Sequence, residues 1–460
     1  MKLLSGLIVG VYLWKLGSSA HKILKGICEK HKHAPAYKLT DDIWNLIFQR
    51  LPLVDRINAG AVSKQWFSIT SKIPCNQPVW ILLPPDKDLG PGEISFFDLC
   101  DGTFGKMKLP DGCHPLGTCR GWFATISFGT NWKSNKIQLF DPVSRIQIPL
   151  PPLSTITEQI PSWELGTDFL ASAVDMSSND ASESVVAACF AQSKILALCR
   201  PKDKKWTVFT GLGIDNLVHE RYRYTIMKFC NGILYALIAP GNEDDTLQFQ
   251  TYSMKLPGDD RDVVLKLINL SWFITNIHPV LLELPWIQEQ EDDDDVLVLR
   301  NASINYGLVE SNGEILVVDK IEDAIMKIPE HVDHDDEPED PYFRIARFEV
   351  SKLEASDDAL WLTKLSNLND QTLFNDAVNL VSMPATGRNF GKNCVYFLDN
   401  PVSYMQQGWE PAAFSRESGV FYLKDGRIER PFPSLEDPKN SRYYWFFPNI
   451  KHQLKFSTTD

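Results

Sequence analysis

The sequence lacks the short motifs that announce chemistry. It holds no GxSxG elbow, no GxxxxGK[ST] loop, no HExxH pair and no CxxC. Those absences argue against an esterase-type nucleophile, a P-loop, a zinc peptidase and a paired-thiol site. Basic charge is also scarce. The net charge is −13, and residues 1–38 hold seven Lys against one Glu, so the remainder carries −19. An acidic body is a poor match for phosphate, which excludes nucleic acid and leaves proteins as the expected partners. Sustained helical periodicity is missing beyond the first seventy residues. The nine cysteines are odd in number and scattered along a long chain, which fits reduced thiols in the cytoplasm or nucleus rather than a disulfide framework.

What is present is ordinary globular composition, 44% hydrophobic and 23% charged over 460 residues. That length suits roughly two or three average domains, or one large repeat domain with a small companion. Residues 1–37 form an N-terminal apolar and basic extension. Its start, "MKLLSGLIVGVYLWKLGSSA", has Lys2, an apolar run from Leu3 to Trp14 and then small residues ending at Ala20, as in a signal peptide. The run is shorter than the roughly twenty residues of a membrane span. A Lys-rich stretch follows, so weak membrane association through residues 1–20, as a surface anchor, is a second reading. A plain extension is the third. Two sequons, at Asn269 and Asn301, matter only in a secreted chain.

Residues 38–72 read as a small helical unit. Thr40, Asp41 and Asp42 suit a helix start, and Ile43, Leu46, Ile47 and Leu51 recur near helical spacing. Pro52 stops that helix. Asp55 opens a second with Ile57 and Ala59, and Gly60 breaks it. Val62, Trp66 and Ile69 mark one face of a third. Three short helices in about 35 residues bury little area, and a unit below about 40 residues usually leans on a partner.

From residue 79 to about 455 the pattern changes to short apolar runs of β-branched and aromatic residues, punctuated by Gly, Asn, Asp and Pro. Examples are "GWFATISFG", "NGILYALIAP", "EILVVDK" and "NCVYFLDN". "CRGWFATI" (119–126), "CNGILYAL" (230–237) and "SNGEILVV" (311–318) each set x-Gly before a strand, and closing strands such as "SRIQIPLPP" follow. That recurrence suggests propeller blades. A pair of β-sandwiches is the alternative. The strand at 79–84 is expected to join the sheet of 419–432 and close the ring.

Both blocks resemble known families. "LTDDIWNLIFQRLP" and "LVDRINAGAVSKQW" resemble an F-box, with Thr40 where Pro is usual and Ser63 where Cys is usual. The resemblance implies docking on the Skp-type adaptor of a cullin–RING ubiquitin ligase through Leu39, Ile43, Ile47, Leu51, Pro52 and Val54. Trp66 and Val62 would pin the helices together. Residues 79–450 resemble the plant family in which an F-box precedes a Kelch-type propeller domain. The markers are "CRGWFATIS…IQLFDPVSRIQIPLP", "CNGILYAL", "LSNLNDQTLFNDAVNLVSMPA" and "SGVFYLKDGRIERPFP". The third usually carries Leu-Gly-Asp, where this chain has Leu368-Asn369-Asp370. The fold implied is a small all-α F-box of three short helices followed by an all-β propeller of six or seven blades. The function implied is a non-catalytic substrate-recognition subunit of an SCF-type ubiquitin ligase, with the propeller holding an unidentified protein. A membrane-tethered or organellar binding module without ligase duty is the alternative, and an enzyme built on the propeller is a third.

The remaining features point to no cofactor and no metal. "HVDHDDEPED" (331–340) and "EQEDDDD" (289–295) read as solvated acidic loops, although His331 and His334 could meet a cation. Trp80, Trp122, Trp206 and Trp361 sit in apolar runs and read as core. Trp132, Trp409 and Tyr443-Tyr444-Trp445 lie near turns, where interface residues occur, but no substrate contact is assigned.

Overall fold

The computed structural model describes residues 40–49, 51, 56, 59, 60, 62–70, 78–83, 89–100, 102–130, 134–160, 171–190, 195–209, 222–240, 249–256, 262–269, 288–290, 296–327, 342–355, 360–376, 379–385, 390–398, 418–432 and 444–448. The chain divides into two units. One comprises Met1–Val79, Asp98–Thr103 and Phe447–Asp460, and the other Trp80–Phe97 and Phe104–Phe446.

In the first unit α1 spans Asp41–Phe48 and α2 spans Lys64–Thr70. Arg56, Ala59 and Gly60 are also helical, and no full third helix is defined among the described residues. Gly60 therefore continues a helical turn rather than breaking one. A Cβ there would meet Thr70 Oγ1 at 2.8 Å, so its use is close approach to α2. The two departures from the F-box pattern fit their places. Thr40 has φ −67°, the value a proline ring would fix. Ser63 Oγ accepts the Trp66 N–H at 3.2 Å and so caps α2, which a thiol does poorly. Gln65 Nε2 donates to Asp41 Oδ1 at 2.7 Å and ties α2 to the first turn of α1.

The second unit is a propeller of six sheets among the described residues. Blade 1 combines β26 (Tyr444–Phe446) with β1 (Trp80–Leu82), β2 (Glu93–Asp98) and β3 (Thr103–Lys108). Blade 2 runs β4 (Cys113–Cys119), β5 (Trp122–Ser127), β6 (Lys136–Phe140) and β7 (Gln147–Pro149). A short helix, α3 (Ser154–Thr157), leads to blade 3: β8 (Ala171–Met176), β9 (Val186–Phe190), β10 (Ile195–Cys199) and β11 (Thr207–Val208). Blade 4 holds β12 (Tyr222–Cys230), β13 (Ile233–Pro240), β14 (Phe249–Lys255) and β15 (Asp262–Asn269) in the order β12-β13-β15-β14. Blade 5 has β16 (Gln288–Gln290), the long β17 (Val296–Ser311), β18 (Glu314–Lys327) and β19 (Tyr342–Ala355), and then β20 (Leu360–Lys364). Blade 6 holds β21 (Gln371–Asn375), β22 (Leu380–Pro384), β23 (Cys394–Leu398), β24 (Ser418–Tyr422) and β25 (Ile428–Glu429), ordered β22-β21-β23-β24-β25.

Strands β4, β8, β12, β17 and β22 approach one another in succession and form the inner wall. The ring closes through β26, whose Trp445 and Phe446 pair with Ile81 and Trp80. This corrects the expected closure. Within the expected strand 79–84, residues 80–82 join 444–446, while 418–422 and 428–429 belong to blade 6, because "YWF" offers the apolar strand that fits beside "WIL".

Apolar clusters fill the seams between blades 2 and 3, 3 and 4, 4 and 5, and 5 and 6. Aromatic pairs fill the other two: Phe123 on Phe446 at 4.5 Å and Phe374 on Trp445 at 5.2 Å. A polar bond of the inner wall accompanies each seam. In ring order, Thr118 Oγ1 donates to Trp445 O at 3.2 Å, and Arg120 Nε donates to Met176 O at 2.6 Å. Phe229 N donates to Asp175 Oδ2 at 2.7 Å, and Asn231 Nδ2 to Gly313 O at 2.8 Å. Ser311 Oγ and Ser382 Oγ lie 2.8 Å apart, and Trp445 N donates to Asp376 Oδ2 at 2.8 Å.

Candidate functional site

The helical unit sorts its apolar residues into two sets. Ile47, Phe48, Leu51, Ala59 and Ile69 form its core, with Trp44 and Trp66 packed against it. Trp44 lies 4.4 Å from Trp66 and 5.4 Å from Phe48, so three rings hold α1 to α2. Ile43 and Leu46 do not join them. They are 39% and 56% exposed, three residues apart on the same side of α1, and so make a bare apolar stripe.

This division qualifies the expected docking set. Ile47 and Leu51 are 5% and 4% exposed, inside the unit. Ile43 is exposed, and so is Leu46, which the docking set did not include. Leu46 was legible as part of the helical repeat, but the repeat alone did not separate its outer edge from its inner edge. Leu39, Pro52 and Val54 lie outside the described residues. Trp66 pins the helices, in line with its expected role.

The propeller's second candidate feature is the end of the inner wall where the x-Gly repeats fall. Arg120-Gly121, Asn231-Gly232 and Asn312-Gly313 join β4 to β5, β12 to β13 and β17 to β18, closing on the pairs Cys119–Trp122, Cys230–Ile233 and Ser311–Glu314. Both residues of each turn have positive φ: 46° and 87°, 49° and 78°, 53° and 79°. That is the type I′ hairpin, which explains why Gly holds the second place and Asn favours the first. Arg120 is the exception. Its backbone occupies a region that long side chains avoid, and its guanidinium reaches three other blades. Nε donates to Met176 O, Nη2 to Phe229 O at 3.0 Å, and Nη1 lies 3.7 Å from Glu310 Oε2. Sequence reading singled out the turn but not this arginine, and its only signal was a cation where the sister turns carry Asn.

Two cysteines border these turns, and neither is a nucleophile near neutral pH. Burial, with Asp175 beside it, pushes the Cys119 thiol far above its ordinary range. Burial pushes Cys230 up to about 11, with Glu310 adding to the effect. No group of three or more His, Cys, Asp or Glu among the described residues is placed to hold a metal. Of the acidic run 289–295, Glu289 and Gln290 lie in β16 rather than in a loop, and its other residues, the run 331–340 and the N-terminal segment lie outside the described residues. No described helix is long and apolar enough to cross a membrane. Asn269 is buried, so in the folded chain its sequon is closed.

Trp80, Trp122 and Trp206 are core as expected. Trp361 is not: it is 46% exposed on β20, the outer strand of blade 5, with its indole N–H on Glu354 Oε2 at 2.9 Å. Strand alternation turns Leu360 and Leu362 toward the blade 4 seam and Trp361 away from it. Trp445 goes the other way, from a turn-side candidate to a fully buried residue. Trp132, Trp409 and Tyr443 lie outside the described residues.

No curated protein matches the chain. Among solved structures, a Bacteroides uniformis protein provisionally named a 6-phosphogluconolactonase aligns at 9% identity, covering 80% of this chain and 100% of its own, with a TM-score of 0.31. That score is too low to carry an argument. Two family models match: the F-box domain over residues 37–77 and the KIB1-4 beta-propeller over residues 96–422. The second spans well over half of the 460 residues, and the chain belongs to the KIB1-4 beta-propeller family, with an F-box domain ahead of the propeller.

Proposed function

We propose that this chain is a non-catalytic substrate-recognition subunit of an SCF-type cullin–RING ubiquitin ligase. The F-box docks the Skp-type adaptor, and the propeller holds the protein to be ubiquitinated. The mechanism is proximity. The chain forms no bond itself but raises the effective concentration of a target lysine near the ubiquitin-charged enzyme. The observation that carries this reading is the bare Ile43–Leu46 stripe, the exposed large apolar side chains among the described residues of the helical unit. An exposed apolar pair costs nothing in the folding of the unit and gains area only when a second protein covers it.

The reading assigns the adaptor contact to Ile43 and Leu46, joined by Leu39, Pro52 and Val54, with Ile47 and Leu51 supporting the helix from inside. Adaptor binding by the purified chain tests it. Leu46→Asp is expected to abolish binding while the folded signal and melting midpoint stay unchanged, because its side chain is solvated in the free chain. Ile47→Asp is expected to unfold the helical unit, because it buries an unpaired carboxylate among Trp44, Phe48 and Trp66. Full adaptor binding by Leu46→Asp would overturn the assignment.

A further inference from the structure

The chain has two Asn-Gly hairpin turns at matching places in neighbouring blades, and their side chains are held differently. Asn231 Nδ2 is fixed by Gly313 O at 2.8 Å. Asn312 is exposed on its own turn. The nitrogen that follows it, Gly313 N, donates to Glu310 Oε1 at 3.2 Å. Gly313 carries no side chain to shield that nitrogen.

We propose that Asn312 is a self-modifying site, at which the backbone nitrogen of Gly313 attacks the Asn312 side-chain amide. The Gly313 N–Cγ bond forms and the Cγ–Nδ2 bond breaks. The amide nitrogen departs as ammonia, taking the proton that Gly313 N gives up. A five-membered imide remains. Water then opens it at either carbonyl and leaves aspartate or isoaspartate. No oxidant or cofactor enters. The Glu310 carboxylate accepts the N–H of the attacking nitrogen and draws its proton away, as a general base does. The left-handed turn must open briefly for the nitrogen to reach Cγ. An exposed hairpin tip can do so without disturbing the core. Asn231 has the same dipeptide and the same turn, but its amide is clamped across the seam, so it reacts more slowly.

The product acts on the ring. Gly313 O is the acceptor for Asn231, the polar bond of the blade 4–blade 5 seam. Isoaspartate adds a carbon to the backbone just before that carbonyl and displaces it. The modification therefore loosens one seam of a closed propeller, independently of adaptor docking.

The test is incubation of the full-length purified chain at mildly alkaline pH and 37 °C, with peptide mapping by mass spectrometry at intervals. Acid and isoaspartyl forms at 312 are expected to accumulate several-fold faster than at 231, and Glu310→Gln is expected to slow the change at 312. Asn312→Gln should remove the signal and confirm its location. Equal rates at the two turns, a faster rate at 231, or an unmodified 312 would each overturn the proposal.

Discussion

Single residues explain where this chain departs from simple patterns. Asn369 replaces the glycine expected between Leu368 and Asp370, and its φ is +50°. Asparagine tolerates that region better than other side chains, so the turn survives the substitution. Arg120 occupies a similar backbone position with less intrinsic tolerance. Its side chain compensates through bonds to Met176 and Phe229 and proximity to Glu310. Asparagine at 120 would suit the turn better but could not span the axis. Arg120→Asn therefore weighs the lost bonds against the relieved turn. It is expected to lower stability by about 2–4 kcal/mol, since hydrogen bonds from charged groups contribute roughly 1.5–3 kcal/mol each. Denaturant titration reads the change. A variant as stable as the parent would show that turn strain cancels the bonds.

Elements show how much of the fold the sequence announced. The apolar runs before and after each hairpin are legible because x-Gly marks a turn whose geometry demands positive φ at both positions. Strand β4, "CHPLGTC", is not legible, since Pro115 and Gly117 read as loop, and the pairing register shifts between them. Strand order in blades 4 and 6 is also hidden, because β13–β15 and β21–β23 run parallel and skip a neighbour. The candidate site was half legible. Helical spacing found Ile43, Leu46, Ile47 and Leu51 as one stripe, whereas the Trp44, Phe48 and Trp66 rings decide which edge of it is buried. The edge of blade 3 uses another device that spacing cannot reveal. Gln159, just after α3, donates Nε2 to Trp206 O at 2.8 Å and accepts Val208 N on Oε1 at 3.2 Å. Its amide so pairs with the free edge of β11 as a short mock strand, which discourages edge-to-edge association. Gln159→Ala should cost about 1–2 kcal/mol by leaving both groups without their partner. Light scattering near the melting midpoint should also rise. No change in either measurement would mean that water replaces the amide at no cost.

For the whole propeller, closure is carried by three residues from the far end of the sequence. Tyr444, Trp445 and Phe446 complete blade 1, and two of them also fill a seam on either side of it. Phe446 stacks on Phe123 and lies tilted against Trp80, while Trp445 meets Phe374 and donates its indole N–H to Asn375 O at 2.9 Å. Seams elsewhere join blades that follow one another directly along the chain. The closing strand instead brings together residues more than three hundred positions apart, as in the Thr118–Trp445 bond. Such contacts form at a high loop-closure cost and only when the other blades are in place. Removing residues 443–460 is therefore expected to do more than delete one strand. It opens the seams of blade 1 with both neighbours, exposes the inner edge of β1, and should turn a single cooperative melting transition into a broad one at lower temperature. Trp445→Phe keeps the ring packing but loses the indole bond, so it should lower the midpoint and preserve cooperativity. Calorimetry of both variants separates the effects. A truncated chain that still melts in one sharp transition near the parent midpoint would show that the six blades hold together without their closing strand.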